Sequence, residues 1–168
     1  MPTVAVINGH AFAAGLMTAM MHDYRLMNPH RGFLCLNELE FGAPMPSAMA
    51  SIFRIKLPRP DTFRTMILEA KRFNALEAIK EGFVDALGGV GEALKIVQEM
   101  KLVGKADSGV YGRLKQELWR ETVGLLERGE DVDNAEVQKQ LEAQEQRDKA
   151  GRERVARYEA SVAGKSKL

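Results

Sequence analysis

Apolar positions follow two rhythms along this 168-residue chain. Near the front they are continuous: TVAVI at 3–7 is a short β-branched run, the pattern of a strand buried on both faces. Asn8 and Gly9 turn the chain, AFAAG at 11–15 carries almost no side-chain bulk apart from Phe12, and the apolar stretch 11–21 reads as a buried helix. After HDYRL (22–26) and the turn NPHRG (28–32), FLCLNELEF at 33–41 reads as a second strand that carries Glu38 and Glu40 into an otherwise apolar setting. Beyond Pro46 the period becomes helical. Asp61 is a good N-cap for a helix to about Ala70, with Phe63, Met66, Ile67 and Ala70 at helical spacing. Residues 75–81 predict a short helix ended by Gly82, with Phe83, Val84 and Asp85 leaving it extended, and 91–102 a further amphipathic helix. Leu114, Leu118, Leu125 and Leu126 stripe one helix from Tyr111 to about Arg128, with Trp119 beside it, for core or subunit packing. Residues 134–165 are rich in Glu, Gln, Lys and Arg, with Val137, Leu141, Val155 and Tyr158 as sparse apolar points, and predict an exposed, partly frayed helix.

The candidate chemistry lies in the first block. Small residues at the start of a helix let a ligand approach the backbone, and the unpaired amides there attract negative charge. The same residues also let a helix pack tightly on a sheet. Glu38 and Glu40, two apart on a strand, would share a face, and the residues alone do not choose between them. His10 falls in a turn, His22 at a helix end and His30 in the NPHRG turn, and no pair has metal-ligand spacing, so no metal site is expected. Cys35 is the single cysteine, which excludes an internal disulfide and reads as a small core residue in a reducing compartment.

Composition narrows the class. With 45% apolar and 28% charged residues the sequence suits a soluble globular protein, and its net charge of +1 points to neither nucleic acid nor a membrane surface. No apolar stretch reaches the roughly 18–20 residues that span a bilayer. Met1 is followed at once by a strand, without the basic leader of a signal peptide.

The order of strand, NGHAFAAG, helix, HDYRL, turn and FLCLNELEFGAP resembles the crotonase (enoyl-CoA hydratase/isomerase) superfamily, and most of all its Δ3,Δ2-enoyl-CoA isomerases. RFNALEAIKEGFVDAL at 72–87 resembles the family's sAxeAxxxGLVD segment, with Ala75, Ala78, Gly82, Val84 and Asp85 in place. These blocks cover roughly residues 2–87. The resemblance implies an α/β fold, the crotonase-like (ClpP/crotonase) ββα spiral, N-terminally shortened. A partial core would occupy 1–88, a helical region 89–130 and a charged tail 131–168.

In that family a thioester carbonyl sits between two backbone amides while a glutamate moves a proton. The resemblance places one amide on Ala14, between Ala13 and Gly15, where glycine is usual at the first two positions. It places the glutamate on Glu38, after Asn37. Hydratases carry a second glutamate three residues past the amide donor; Met17 stands there, and a thioether cannot activate water. Ala13, Gly15, Met17 and Asn37 are thus the expected substrate-lining residues. The expected reaction shifts a 3-enoyl-CoA double bond to the 2-position, with the CoA thioester as substrate and no cofactor. A hydratase of the same family, or a non-catalytic crotonase-like subunit, is the alternative. The family's further N-terminal region supplies the other amide, so this sequence resembles the C-terminal two-thirds of a longer protein. Half an oxyanion hole lacks about 3–4 kcal/mol of transition-state stabilisation. The family implies a homotrimer or hetero-oligomer. Ser166, Lys167 and Leu168 form SKL, which matches the C-terminal address read by the peroxisomal import receptor.

Overall fold

The computed structural model describes residues 1–107 and 109–165. They fall into two units, Met1–Arg128 and the segment from Gly129 onward. The first holds short strands Val4–Ile7 (β1), Ala11–Phe12 (β2), Tyr24–Met27 (β3), Leu34–Cys35 (β4) and Ala86–Leu87 (β5). Between and after them run helices Ala14–Met20 (α1), Glu38–Phe41 (α2), Ser47–Lys56 (α3), Pro60–Glu69 (α4), Ala75–Lys80 (α5), Val90–Glu99 (α6), Val110–Leu118 (α7) and Arg120–Glu127 (α8).

Two parallel ladders organise this unit. One sheet has the order β1-β3-β5, with Val4 opposite Tyr24 and Leu26 opposite Ala86; the other pairs β2 with β4, Ala11 opposite Leu34 and Phe12 opposite Cys35. Strand and helix alternate because parallel neighbours need a crossover. In β1 Ala5 and Ile7 are buried while Val4 and Val6 are half-buried, so full burial holds for one face only. The loop before β4 needs Gly32: its φ is +95°, and a Cβ there would lie 2.1 Å from the Gly9 carbonyl oxygen. The Gly32 backbone thus packs closely on Gly9, in the turn that follows β1.

The core gathers Leu16 and Met20 of α1, Met27 of β3, Ile52 and Phe53 of α3 and Met66 of α4, with Phe73 against Phe83 at 4.7 Å between ring centres. Each such side chain contributes about 1.5–3 kcal/mol on burial. α5 carries a reciprocal cap, Asn74 Oδ1 accepting from the Glu77 amide at 3.0 Å and Glu77 Oε2 from the Asn74 amide at 3.0 Å.

Several expected elements differ. Glu38 and Glu40 are on helix α2 rather than on a strand, because the extended chain ends at Cys35. α4 starts at Pro60, so Asp61 lies in its first turn and Arg59 takes the cap position. Proline fits there because its fixed φ suits a helix start and its missing N–H is not needed. The single helix expected from Tyr111 breaks at Trp119, which is buried, while Leu114, Leu118 and Leu126 remain exposed. The helix turns its Trp119 and Thr122 face inward instead, and Thr122 Oγ1 meets Ser51 Oγ of α3 at 2.7 Å. In the second unit Glu130–Lys165 is one helix, α9, on which Leu141, Val155 and Tyr158 are exposed. Local side-chain bonds such as Gln144 to Asp148 at 2.9 Å support it. Ser166, Lys167 and Leu168 lie outside the described residues.

Candidate active site

β2 and β4 run parallel about 4.8 Å apart and leave the sheet at the same end. Two residues beyond Phe12 comes Ala14; three beyond Cys35 comes Glu38. The Ala13 amide donates to the Cys35 carbonyl at 3.0 Å and closes the ladder behind them. Pairing of the strands therefore delivers a helix start and a carboxylate side by side, at the carboxyl edge where open parallel sheets bind ligands.

At the helix start Ala13 adopts φ 46°, ψ −123°, a conformation that L side chains strongly disfavour. Its carbonyl accepts from the Leu16 and Met17 amides, each at 3.0 Å. The next amides, those of Ala14 and Gly15, donate to no acceptor among the described residues, and both residues are exposed. Met17, one turn further, is buried in the core cluster.

On the other strand Asn37 takes the N-cap position of α2. Asparagine there ordinarily accepts from the backbone of the first turn, yet its side chain makes no such bond. Its Oδ1 is buried and unpartnered, and so is Oε2 of Glu38. A buried acceptor left unpaired costs about 1–3 kcal/mol, so two on adjacent residues single this corner out as a candidate site.

Glu40 is occupied elsewhere. On a helix, residues two apart point some 200° apart rather than to one side, and Glu40 meets the Arg72 guanidinium at 3.3 Å. Arg72 also lies 5.7 Å over the Phe12 ring. Cys35 is buried, and its thiol donates to the Ala70 carbonyl at 3.2 Å; burial, then the charge of Glu40, pushes its pKa up, which suits a core thiol. His10 stacks on Phe33 at 5.8 Å, and His22 contacts the Thr18 carbonyl through Nδ1 at 2.9 Å. Among the described residues no cluster of three or more His, Cys, Asp or Glu is placed to hold a metal ion, and no helix is long and apolar enough to cross a membrane.

The HDYRL and GFVDAL blocks do different work. Arg25, 4% exposed, donates through Nε to the Phe83 carbonyl at 2.6 Å and through Nη1 to the His22 carbonyl at 3.0 Å, and pairs through Nη2 with Asp85 at 3.0 Å. Asp85 also accepts from the Arg25 amide at 2.7 Å. Beside this knot Asp23 holds the Thr3 amide at 2.7 Å and Lys115 at 2.8 Å. Burial works to raise the Asp23 pKa, but the bonds from Lys115 and Thr3 prevail and hold it below its ordinary value. The sequence reading did not find these pairings. The one available signal was a charge inside each of two apolar runs, Arg25 in YRLM and Asp85 in FVDAL.

The enoyl-CoA hydratase/isomerase family profile matches residues 1–157. The peroxisomal enoyl-CoA delta isomerase 1 of Arabidopsis thaliana is 38% identical over 141 residues, covering 79% of this chain and 58% of that protein. The peroxisomal enoyl-CoA delta isomerase 2 of the same plant is 36% identical over 131 residues, covering 75% and 55%. The chain thus spans a little over half the length of these curated relatives. A crystal structure of an enoyl-CoA hydratase from Mycobacterium marinum superposes with a TM-score of 0.63 at 22% identity, over 76% of this chain and 56% of that one, and shares its fold. The crotonase-like fold expected from the sequence is therefore the fold observed, and the chain belongs to the enoyl-CoA hydratase/isomerase family.

Proposed function

We propose that this chain carries the proton-transfer site of an enoyl-CoA isomerase that converts a 3-enoyl-CoA into the conjugated 2-enoyl-CoA. The observation that carries the reading is the pair of buried, unpartnered acceptors on Asn37 and Glu38, at the strand edge that also presents the Ala14 amide. The thioester oxygen accepts from the Ala14 N–H while Glu38 removes a proton from C2. The resulting enolate spreads over the conjugated chain and takes the same proton back at C4, leaving the double bond between C2 and C3. One carboxylate performs both transfers, so no cofactor is required. Acid–base assistance of this kind is worth about 10²–10⁴ in rate, and one oxyanion donor about 10²–10³.

Isomerisation is favoured over hydration because Met17 offers no second carboxylate and is buried in the core. The curated relatives are longer, and the proposal assigns the second oxyanion donor to a segment beyond the matched region. Their names, peroxisomal in two cases, support a peroxisomal acyl-CoA substrate, and SKL at 166–168 supports handling by the import receptor. Assembly as a homotrimer or hetero-oligomer is part of the same proposal.

The test is conversion of a 3-enoyl-CoA, read by the absorbance of the conjugated thioester. Glu38→Gln is expected to lower kcat at least about 100-fold with an unchanged circular dichroism spectrum. An unchanged rate would remove Glu38 from the mechanism, and faster water addition to a 2-enoyl-CoA would assign the chain to the hydratases.

A further inference from the structure

α9 is 36 residues long, about 54 Å, and its charges are sorted along it. The N-terminal part, 130–145, holds Glu130, Asp131, Asp133, Glu136, Glu142 and Glu145 against a single base, Lys139. The C-terminal part, 146–165, holds Arg147, Lys149, Arg152, Arg154, Arg157 and Lys165 against Asp148, Glu153 and Glu159. A helix dipole favours such sorting only within the first and last turns, so Glu142, Glu145 and the arginines call for another cause.

A second pattern runs through the same helix. Leu141, Gln144, Asp148, Gly151, Val155 and Tyr158 follow one another by alternate steps of three and four residues, the spacing of a coiled-coil seam. Val137 and Val162 continue it by four at either end. Leu141, Val155 and Tyr158 are exposed, and a helix this polar takes its stability from packing rather than from its own propensity. At the middle of the seam Asp148 accepts from Gln144 at 2.9 Å.

We propose that α9 pairs along this seam with α9 of a second copy of the chain, the two running antiparallel. Centring the pair between Lys149 and Ala150 sets Leu141 of one copy opposite Tyr158 of the other and Gln144 opposite Val155. It also lays the acidic part of each helix on the basic part of its neighbour, with Glu145 of each copy facing Arg152 of the other at the edge of the seam. A parallel pair would put acid on acid and base on base, and would bury Asp148 against Asp148. In the antiparallel register Asp148 meets Gly151, which has no side chain to crowd it. Arg147 and Arg154 form a like-charged pair in this register, but at a solvated rim where salt screens it. The inference goes beyond the reaction proposed at Glu38 and does not depend on it.

Orientation makes the test specific. Full chains carrying Leu141→Cys and Tyr158→Cys, mixed under mild oxidation at low salt, are expected to form a disulfide-linked dimer that neither chain forms alone. Two copies of residue 141 lie roughly 26 Å apart in the antiparallel pair, far beyond disulfide reach. Cys35 is buried and does not compete. The linked product should fall at least about fivefold in about 1 M NaCl. Arg152→Glu should lower it as far, and Glu145→Arg added to that variant should restore it. If Arg152→Glu loses helix by circular dichroism, the salt series decides in its place. Linkage of the Leu141→Cys chain alone as strong as that of the mixture would overturn the proposal, since it would mean a parallel or random contact. So would a mixture that gives no linked dimer, a yield indifferent to salt, or a folded double variant that fails to restore it.

Discussion

Two polar clusters, each built from blocks that carry the family resemblance, stand in opposite states. Around Arg25 and Asp85 the guanidinium donates through Nε, Nη1 and Nη2, and the carboxylate pairs with both side chain and backbone. At Asn37 and Glu38 two buried acceptors have nothing. The first arrangement fastens β3 to the segment leading into β5 and has no capacity left over for a ligand. The second leaves two buried acceptors unpaired, which under the proposed function is the place left for the reacting thioester. Within one family pattern, hydrogen-bond saturation separates residues that hold the fold from residues that await chemistry.

The contrast is open to direct attack. Asp85→Ala should lose about 3 kcal/mol in urea unfolding, because it leaves a buried guanidinium without its counter-ion; a loss below about 1 kcal/mol would mean that the knot is decorative. Ala13→Gly should gain about 1 kcal/mol by releasing the alanine from its strained φ and ψ, a gain measurable as a rise in Tm. Glu38→Ala should leave stability unchanged or raise it by up to about 1 kcal/mol, since it removes an unpaired buried acceptor. A clear loss there would place Glu38 with the structural cluster.

A pH-dependent effect concerns Lys56, beside the saturated knot. Its folded pKa is lowered from 10.5 to about 8 by burial and by Arg25. The unfolded chain therefore binds more protons between those values, and stability should rise as pH increases from about 8 to 10.5. Lys56→Met should abolish that rise. A flat profile in the parent chain would show that the knot already satisfies this lysine.

The sequence made some of this plain. The β-branched run at 3–7 forms the strand its pattern predicts, but the apolar stretch expected as one helix over 11–21 splits, Ala11 and Phe12 pairing as strand β2 with β4 and the helix beginning only at Ala14. Glu38 was legible as the candidate base but not as the first residue of a helix: FLCL is a continuous apolar run like a strand, and nothing in it shows that the extended chain ends at Cys35. The Leu114 to Leu126 stripe misled for the opposite reason. Its period runs smoothly through Trp119, whereas the tertiary packing of Trp119 and Thr122 breaks the helix and turns another face inward. Arg25 and Asp85 lie 60 residues apart, beyond the reach of any periodicity.

That spacing also bears on the order of assembly. The β2 and β4 partners Ala11 and Leu34 are only 23 residues apart, so the ladder that presents Ala14 and Glu38 closes a loop cheaper by about 0.9 kcal/mol than the one closed by Arg25 and Asp85. The corner that carries the candidate site is therefore expected to form early and locally, with the longer-range knot locking afterwards. A chain slow to lock the knot would already present that corner.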